Sequence, residues 1–280
     1  MAGTGDMDVT SQDITCQQDW LQGPHGALFV ARWQPADSPD DTSIHPARAP
    51  IVLLHDSLGC VALWRDFPAT LAASSGHEVI AYDRAGFGRS VARHQPMPLN
   101  FIEHEASGDL HAVIEGLALE RFILLGHSVG GCMAIASAAT HHARCQAVIT
   151  LAAQAMVEEL TLSSIREARQ LFADPDQRAR LGRYHGAKAE WVLNAWIETW
   201  LDPAFRDWCL DGSLAALRCP LLVIHGAQDE YGSRAQPARL TENAGHGAEL
   251  HLLDSCGHVP HREQPEEVMT RLARFLAAHA

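Results

Sequence analysis

The 280-residue sequence lacks any stretch of about 18 uninterrupted apolar residues, so we expect no membrane-spanning helix. Its first twenty residues, MAGTGDMDVTSQDITCQQDW, lack the basic and apolar regions of a secretory signal. The seven cysteines lack the paired spacing of a metal site, and Cys132, Cys145 and Cys219 lie in apolar runs. We therefore expect reduced thiols and a cytoplasmic location.

Positive charge is also scarce, since 21 lysines and arginines stand against 34 aspartates and glutamates, for a formal net charge of −13. This excess of negative charge argues against nucleic acid or a membrane surface as a partner. The sequence contains 17 histidines, but the pair at 141–142 lies at a predicted helix end without a nearby carboxylate. We expect neither a metal site nor a cofactor, and the sequence does not indicate an oligomeric state.

Short apolar runs alternate with longer segments of helical periodicity, which is typical of an α/β protein with a mostly parallel sheet flanked by helices. ALFVARW at 27–33 predicts an early strand, and a loop rich in proline and aspartate follows at 35–50. Six further strands are predicted at 51–55, 78–83, 122–126, 147–153, 220–226 and 248–254. Helices are predicted at 61–75, 104–118, 129–142, 235–244 and 265–279.

One segment, residues 155–212, interrupts this alternation with helical patterns alone. It contains four of the seven tryptophans: Trp191, Trp196, Trp200 and Trp208. A helical insertion between two strands of one sheet predicts a cap, which divides the core into residues 1–154 and 213–280. Trp196 and Trp200 share a helix face. Because ligands bind at the carboxyl ends of the strands, we expect at least one of the two to line the pocket, the alternative being that both pack the cap onto the core.

The segment GHSVG at 126–130 fits the pattern Gly-x-Ser-x-Gly, and it stands between a predicted strand and a predicted helix. Gly126 and Gly130 omit the side chains that would collide in a sharp strand-to-helix turn. Such a turn exposes the hydroxyl of Ser128 at a helix N-terminus, where developing negative charge is favoured. Ser128 is therefore the predicted nucleophile, the alternative being a capping serine.

A serine nucleophile needs a base, and the base needs an acid that fixes its tautomer. Asp229 follows the strand PLLVIHG, and His258 lies in the loop after the last strand. These two residues are the predicted acid and base. Glu230 and Asp254 are the alternative acids, and His261 is the alternative base, although we expect His261 to be a surface residue at a helix start.

An acyl-transfer site also needs two amide donors for the oxyanion of the tetrahedral intermediate. One is predicted to be the N–H of Val129, the residue after the nucleophile, and the other the N–H of Ser57 in the loop after an earlier strand. Leu58 is the alternative donor. It is also a predicted pocket residue, together with Trp196 and Trp200.

The segments HDSLG, YDRAGFGRS, GHSVGG, HGAQD and GHVPHREQPEEV resemble the α/β-hydrolase superfamily over residues from about 25 to 280. The resemblance implies an eight-stranded, mostly parallel sheet with flanking helices and an inserted helical cap. It also implies that YDRAGFGRS is a structural loop with Asp83 and Arg84 buried. More narrowly, LGCVALWRDFP and HGAQDEYGS resemble a group of bacterial hydrolases. The usual His-Gly pair is His55-Asp56 here, and aspartate tolerates a positive φ better than most residues.

The sequence thus predicts a serine hydrolase that cleaves a small apolar or aromatic ester through an acyl-enzyme. A hydrolase of carbon–carbon bonds in ring-fission products is the first alternative. Such enzymes resemble this chain but carry an aromatic residue where Val259 follows His258. A ligand-binding receptor on a hydrolase scaffold is the second alternative. Cys132 and Cys256, close in sequence to Ser128 and His258, are expected to be apolar fillers.

Overall fold

In the computed structural model, residues 14–35 and 48–279 are described and form an eight-stranded sheet flanked by helices. Most of the predicted proline- and aspartate-rich loop, residues 36–47, lies outside the described residues, as do residues 1–13. The strands are β1 (Ile14–Gly23), β2 (Gly26–Pro35), β3 (Ile51–Leu54), β4 (Val79–Tyr82), β5 (Phe122–His127), β6 (Cys145–Leu151), β7 (Leu221–Gly226) and β8 (Ala248–Leu253).

The strand order is β1-β2-β4-β3-β5-β6-β7-β8. Strand β2 pairs antiparallel with both β1 and β4, and all the remaining pairs are parallel. The predicted fold class, a mostly parallel sheet with flanking helices, is confirmed. Since parallel strands end at one edge, the loops after β3, β5, β7 and β8 meet there.

Two groups of helices surround the sheet. The first group comprises α1 (Phe67–Ser75), α2 (Phe101–His104), α3 (Asp109–Gly116), α4 (Val129–Thr140), α9 (Ala235–Glu242), α10 (Pro260–Glu263) and α11 (Pro265–His279). The second group lies between β6 and β7 and comprises α5 (Glu159–Leu171), α6 (Pro175–His185), α7 (Ala189–Trp200) and α8 (Asp211–Ala216). The predicted cap boundary at residue 212 therefore falls inside α8.

The buried apolar residues form two clusters, which alternate along the strands. In β3, Val52 and Leu54 belong to one cluster, and Ile51 and Leu53 belong to the other. This alternation is the period of two that places successive strand side chains on opposite faces. The sheet is thus covered by apolar contacts on both faces, which fixes the loops at its carboxyl edge. Among the described residues, none of the helices is long and apolar enough to cross a membrane.

Candidate active site

The turn between β5 and α4 holds Ser128 in an unusual backbone conformation, with φ 54° and ψ −126°. A positive φ is costly for a residue with a side chain and persists only where the surroundings enforce it. Here the strand and helix approach so closely that a Cβ at Gly126 would collide with the carbonyl of Gly130. A Cβ at Gly130 would collide with the carbonyl of Leu54. The two glycines therefore permit the turn that presents the serine hydroxyl.

Ser128, His258 and Asp229 form a continuous hydrogen-bonded relay. The Ser128 Oγ lies 3.0 Å from His258 Nε2. On the other side of the ring, His258 Nδ1 lies 2.9 Å from both carboxylate oxygens of Asp229. The Asp229 Oδ1 also accepts hydrogen bonds from the backbone N–H groups of Tyr231, at 2.7 Å, and Gly232, at 3.0 Å. These backbone donors fix the carboxylate, which in turn orients the imidazole.

The charges within the relay stabilise the protonated form of the His258 ring. Burial raises the pKa of Asp229, but the hydrogen bond and charge of His258 outweigh burial and hold it below its usual value. Burial lowers the pKa of His258, but the hydrogen bond and charge of Asp229 outweigh burial and raise it above its usual value. A buried neighbour, His225, lies with its Nε2 3.4 Å from Asp229 Oδ2 and 3.0 Å from the carbonyl of Gly232.

The alternative acids have other partners. Glu230 Oε2 accepts the backbone N–H of His258 at 3.2 Å, so this carboxylate supports the loop and not the ring. Asp254 is exposed, and its carbonyl accepts a hydrogen bond from Gln264 Nε2 at 2.6 Å.

The expectation that His261 is a surface residue was wrong. It lies at the start of α10, but its side chain is buried between aromatic rings, with centroid distances of 5.1 Å to Trp64 and 5.2 Å to Phe67. Burial in this apolar slot lowers the pKa of His261 to about 2. The ring also makes an edge contact at 5.0 Å with His127. His261 therefore packs beneath the site and makes no hydrogen bond to Ser128 among the described residues.

The loop after β3 forms a tight turn, closed by a 3.2 Å hydrogen bond from the N–H of Gly59 to the carbonyl of Asp56. The N–H of Leu58 is occupied, since it donates to Asp56 Oδ1 at 2.8 Å. Within the described part of the chain, the N–H groups of Ser57 and Val129 donate to no protein acceptor. Val129 is the first residue of α4, where the N–H has no partner in the helix. These two amides are thus available to an oxyanion.

Asp56 does not use the positive φ that we considered for it. Instead its side chain links two loops, because Asp56 Oδ2 lies 3.3 Å from His127 Nδ1. The other nitrogen of His127, Nε2, lies 2.8 Å from the carbonyl of His258. Both ring nitrogens of His127 therefore face oxygen atoms of neighbouring loops. Burial raises the pKa of Asp56, but the hydrogen bond and charge of His127 outweigh it and hold the pKa well below its usual value.

We call the loop after β3, which carries the predicted oxyanion donor Ser57, the oxyanion loop. It is also held by Arg84 and His185. Arg84 is buried, as predicted, and its Nη2 donates to the carbonyl of Asp56 at 2.8 Å. His185 comes from α6, and its Nε2 lies 3.0 Å from the carbonyl of Leu58. The N–H of Gly88 donates to His185 Nδ1 at 2.9 Å, so the proton of this ring lies on Nε2.

A cavity of about 240 Å³ opens onto the relay. Its lining includes the three residues proposed from the sequence for the pocket, Leu58, Trp196 and Trp200, and also Ser57, Ser128 and His258. It also includes residues that we did not anticipate: Asp56, Leu63, His127, Gln154, Thr161, Ile165, Tyr231, Val259 and Arg262. Val129 lines a small adjoining cleft with Ser57, Trp196 and Trp200. The one strong sequence signal among the missed residues is Gln154, a polar residue within an apolar segment just after a strand.

The two tryptophans differ in their surroundings. Trp200 is buried, and its ring packs against Phe205 at 5.4 Å and Trp208 at 5.8 Å. Trp196 is partly exposed and packs against Tyr231 at 5.9 Å, and the Tyr231 ring in turn lies 4.9 Å from that of His258. Trp200 is therefore both a packing residue and a wall of the cavity, whereas Trp196 is mainly a wall.

Other chemistries find little support at this site. Burial raises the pKa of the Cys132 thiol to about 12 and that of the Cys256 thiol to about 11, which disfavours the nucleophilic thiolate. Between residues 14 and 35 and from 48 to 279, no three His, Cys, Asp or Glu side chains are grouped to hold a metal ion.

The chain is similar in sequence and in fold to several known proteins. The model of the alpha/beta hydrolase family matches residues 51–271. The chain is 26% identical over 265 residues to the 2-hydroxy-6-oxo-2,4-heptadienoate hydrolase of Pseudomonas putida, covering 85% of this chain and 93% of the relative. Proline iminopeptidase of Mycobacterium smegmatis superposes with a TM-score of 0.71 at 21% identity, over 94% of this chain and 98% of that one. A thermophilic esterase from Thermogutta terrifontis gives a TM-score of 0.68 at 19% identity, over 94% and 98%. The last two comparisons show a shared fold.

Proposed function

The chain belongs to the alpha/beta hydrolase family, and from this premise we propose that it is a serine hydrolase of small apolar or aromatic esters. The observation that carries the proposal is the relay of Ser128, His258 and Asp229, with distances of 3.0 and 2.9 Å, at the base of a closed-in cavity. In this reading Ser128 is the nucleophile, His258 the general base and Asp229 the residue that orients and stabilises the imidazolium.

The proposed reaction proceeds in two halves. His258 takes the proton of Ser128 as its Oγ attacks the ester carbonyl, and the amides of Ser57 and Val129 stabilise the oxyanion. The imidazolium then gives the proton to the departing alkoxide, which leaves an acyl group on Ser128. A water molecule, deprotonated by His258, attacks this acyl-enzyme. As the second tetrahedral intermediate collapses and its bond to Ser128 Oγ breaks, His258 returns the proton to Oγ and the acid is released.

Apolar and aromatic substrates are proposed because of the cavity walls. Leu58, Ile165, Trp196 and Trp200 line the cavity, and aromatic rings supply large contact area at low entropic cost. We propose that residues 155–212 act as the cap that supplies most of this wall. All seven cysteines are free thiols. This supports a reducing compartment, and hence the cytoplasm, as the place of action, which cell fractionation would test.

Carbon–carbon bond hydrolysis is the second candidate. It is favoured by the similarity to the Pseudomonas putida enzyme, which is a hydrolase of 2-hydroxy-6-oxo-2,4-heptadienoate. Against it stands Val259, since the enzymes of this kind that the chain resembles carry an aromatic residue after the histidine. A receptor that retains the relay would bind the same ligands without repeated turnover.

The test uses 4-nitrophenyl esters and a fluorophosphonate label. We expect the wild-type protein to release 4-nitrophenol over many turnovers, and Ser128→Ala to abolish both release and labelling. Ser107→Ala is the matched control, because Ser107 is exposed and lies outside the site. Labelling that persists in Ser128→Ala would remove Ser128 as nucleophile, and a single slow turnover in the wild type would favour the receptor.

A further inference from the structure

Gln154 is a buried polar residue whose side-chain carboxamide has almost no protein partner. It follows β6, it is 3% exposed, and it lines the cavity above the relay. Among the described residues, the carboxamide makes one contact, at 3.8 Å between its Oε1 and the Sγ of Cys132. Within the described residues, the amide nitrogen donates to no protein acceptor, and it is not one of the fully enclosed atoms that lack a partner, so it faces the open space of the cavity. Because the polar groups of a buried residue are usually hydrogen-bonded, an unpartnered amide on a cavity wall points to a ligand atom as its acceptor.

The position of Gln154 connects it to the acyl group of a substrate. Cys132 lies one turn into α4 from the nucleophile, with its Sγ 3.6 Å from the carbonyl of Ser128 and 3.1 Å from that of Gln154. The side chain of Cys132 thus contacts the backbone of both Ser128 and Gln154 and lies between them. The acyl group is the part of an ester that becomes bonded to Ser128, so a donor this close to Ser128 is within reach of a group on the acyl chain.

The surroundings of Gln154 favour a neutral acceptor. The charged side chains of the cavity lie on the wall of the oxyanion loop and α10, where Asp56 pairs with His127 and Arg262 donates to the carbonyl of Leu63. The cap residues of the lining are mostly apolar, and the one hydroxyl among them, that of Thr161, already donates to the carbonyl of Tyr231 at 2.6 Å. A lone carboxamide offsets little of the cost of burying a carboxylate, whereas it satisfies a ketone oxygen.

We propose that Gln154 is a specificity-determining residue that donates a hydrogen bond to a neutral oxo group on the acyl chain, so that the preferred substrates are oxo-acyl esters. This inference rests on the proposed ester hydrolysis. It narrows the substrate class from any apolar ester to one that carries a second carbonyl oxygen. The hydrogen bond is made to the bound substrate and does not take part in proton transfer.

The experiment compares matched esters that differ only in the oxo group: 4-nitrophenyl 4-oxopentanoate with pentanoate, and 5-oxohexanoate with hexanoate. The readout is the ratio of kcat/KM values within each pair. We expect the wild type to favour at least one oxo ester, and Gln154→Met to reduce that ratio by about threefold to tenfold, as for the loss of one neutral hydrogen bond. Gln154→Glu, measured at a pH high enough to ionise the carboxyl, keeps the shape and accepts but does not donate, so it should reduce the ratio as well.

Thr161→Val is the matched control, since it lines the same cavity and its hydroxyl is already occupied; it should leave the ratio unchanged. Equal ratios in the wild type and Gln154→Met would overturn the proposal. A ratio retained by Gln154→Glu would overturn the donor role. If the wild type hydrolyses no ester, the proposed ester hydrolysis is refuted, but the proposed subsite at Gln154 is not. The subsite is then tested by calorimetric binding of 4-oxopentanamide against pentanamide, where equal affinities or no effect of Gln154→Met would overturn it.

Discussion

Replacing Asp229 with asparagine tests whether this residue fixes the tautomer of His258. The Asp229 Oδ1 accepts two backbone N–H groups, from Tyr231 and Gly232, so the oxygen of an asparagine would remain there. Its NH₂ would then take the place of Oδ2, 2.9 Å from His258 Nδ1. An NH₂ group can only donate to that nitrogen, and Oδ1, which also lies 2.9 Å from His258 Nδ1, already accepts two backbone N–H groups. The substitution therefore favours the tautomer that carries the ring proton on Nε2. A protonated Nε2 cannot accept the proton of Ser128.

The expected loss is large, because the wrong tautomer removes base catalysis while leaving the geometry nearly intact. In a serine protease, the same substitution lowers kcat by about 10⁴-fold, which corresponds to about 5.5 kcal/mol of activation free energy. We expect a loss of this order in the steady-state hydrolysis of a 4-nitrophenyl ester by Asp229→Asn. Glu230→Gln is the matched control, since Glu230 bonds to the backbone of His258 and not to the ring. Its loss should stay within about tenfold.

The pH profile gives a second, independent readout of the same substitution. His258 acts as a base only when it is neutral, so kcat/KM falls as the pH drops through the pKa of His258, which is raised above its usual value. Asp229→Asn removes the hydrogen bond and the charge that raise this pKa and leaves burial, which lowers it. The acid limb should therefore move to lower pH even though the rate falls. An unmoved acid limb, or equal losses in Asp229→Asn and Glu230→Gln, would refute the assignment of Asp229.

Two further predictions concern the oxyanion loop and the cap. Ser57 is the second residue of the turn from Asp56 to Gly59, a position that accepts proline, so Ser57→Pro should fold. Because this variant lacks the N–H, it should lower kcat by about 10²–10³-fold. Ser57→Ala keeps the N–H and should change kcat far less. Equal small effects would move the donor elsewhere. Trp200→Ala should lower the free energy of unfolding by about 3–5 kcal/mol, measured by denaturant titration. Trp196→Ala should mainly shift the preference among esters, by about 1–3 kcal/mol in relative kcat/KM. If both variants are destabilised and neither changes the preference, the two tryptophans serve only to pack the protein.

The sequence predicted β3 to β7 well because each is a short apolar run that is almost wholly buried; β8, at the opposite edge from β1, was also predicted although only its last residue is buried. The missed strand was β1, Ile14–Gly23, whose residues are mostly exposed and which forms the edge of the sheet. An edge strand with polar residues has no buried pattern to reveal it. β1 pairs with β2 through a tight hairpin in which Gly23 lies opposite Gly26. The polar composition of β1 gave no indication of this pairing.

The chain order of Ser128, Asp229 and His258 was readable because each residue follows a predicted strand. The burial of His261 was not, since its neighbours Trp64 and Phe67 lie about 200 residues away in sequence and the local segment PHRE is polar. Contacts between remote segments decide such cases, and no local pattern reports them.

The oxyanion loop is held from both sides, which couples the position of α6 to the geometry of the candidate site. From the core, Arg84 binds the carbonyl of Asp56; from α6, His185 binds the carbonyl of Leu58. Burial lowers the pKa of His185, which keeps its ring neutral and preserves the acceptor for the N–H of Gly88. Because Ser57 lies between the two anchored carbonyls, a shift of α6 relative to the core would release one anchor and reorient the Ser57 amide.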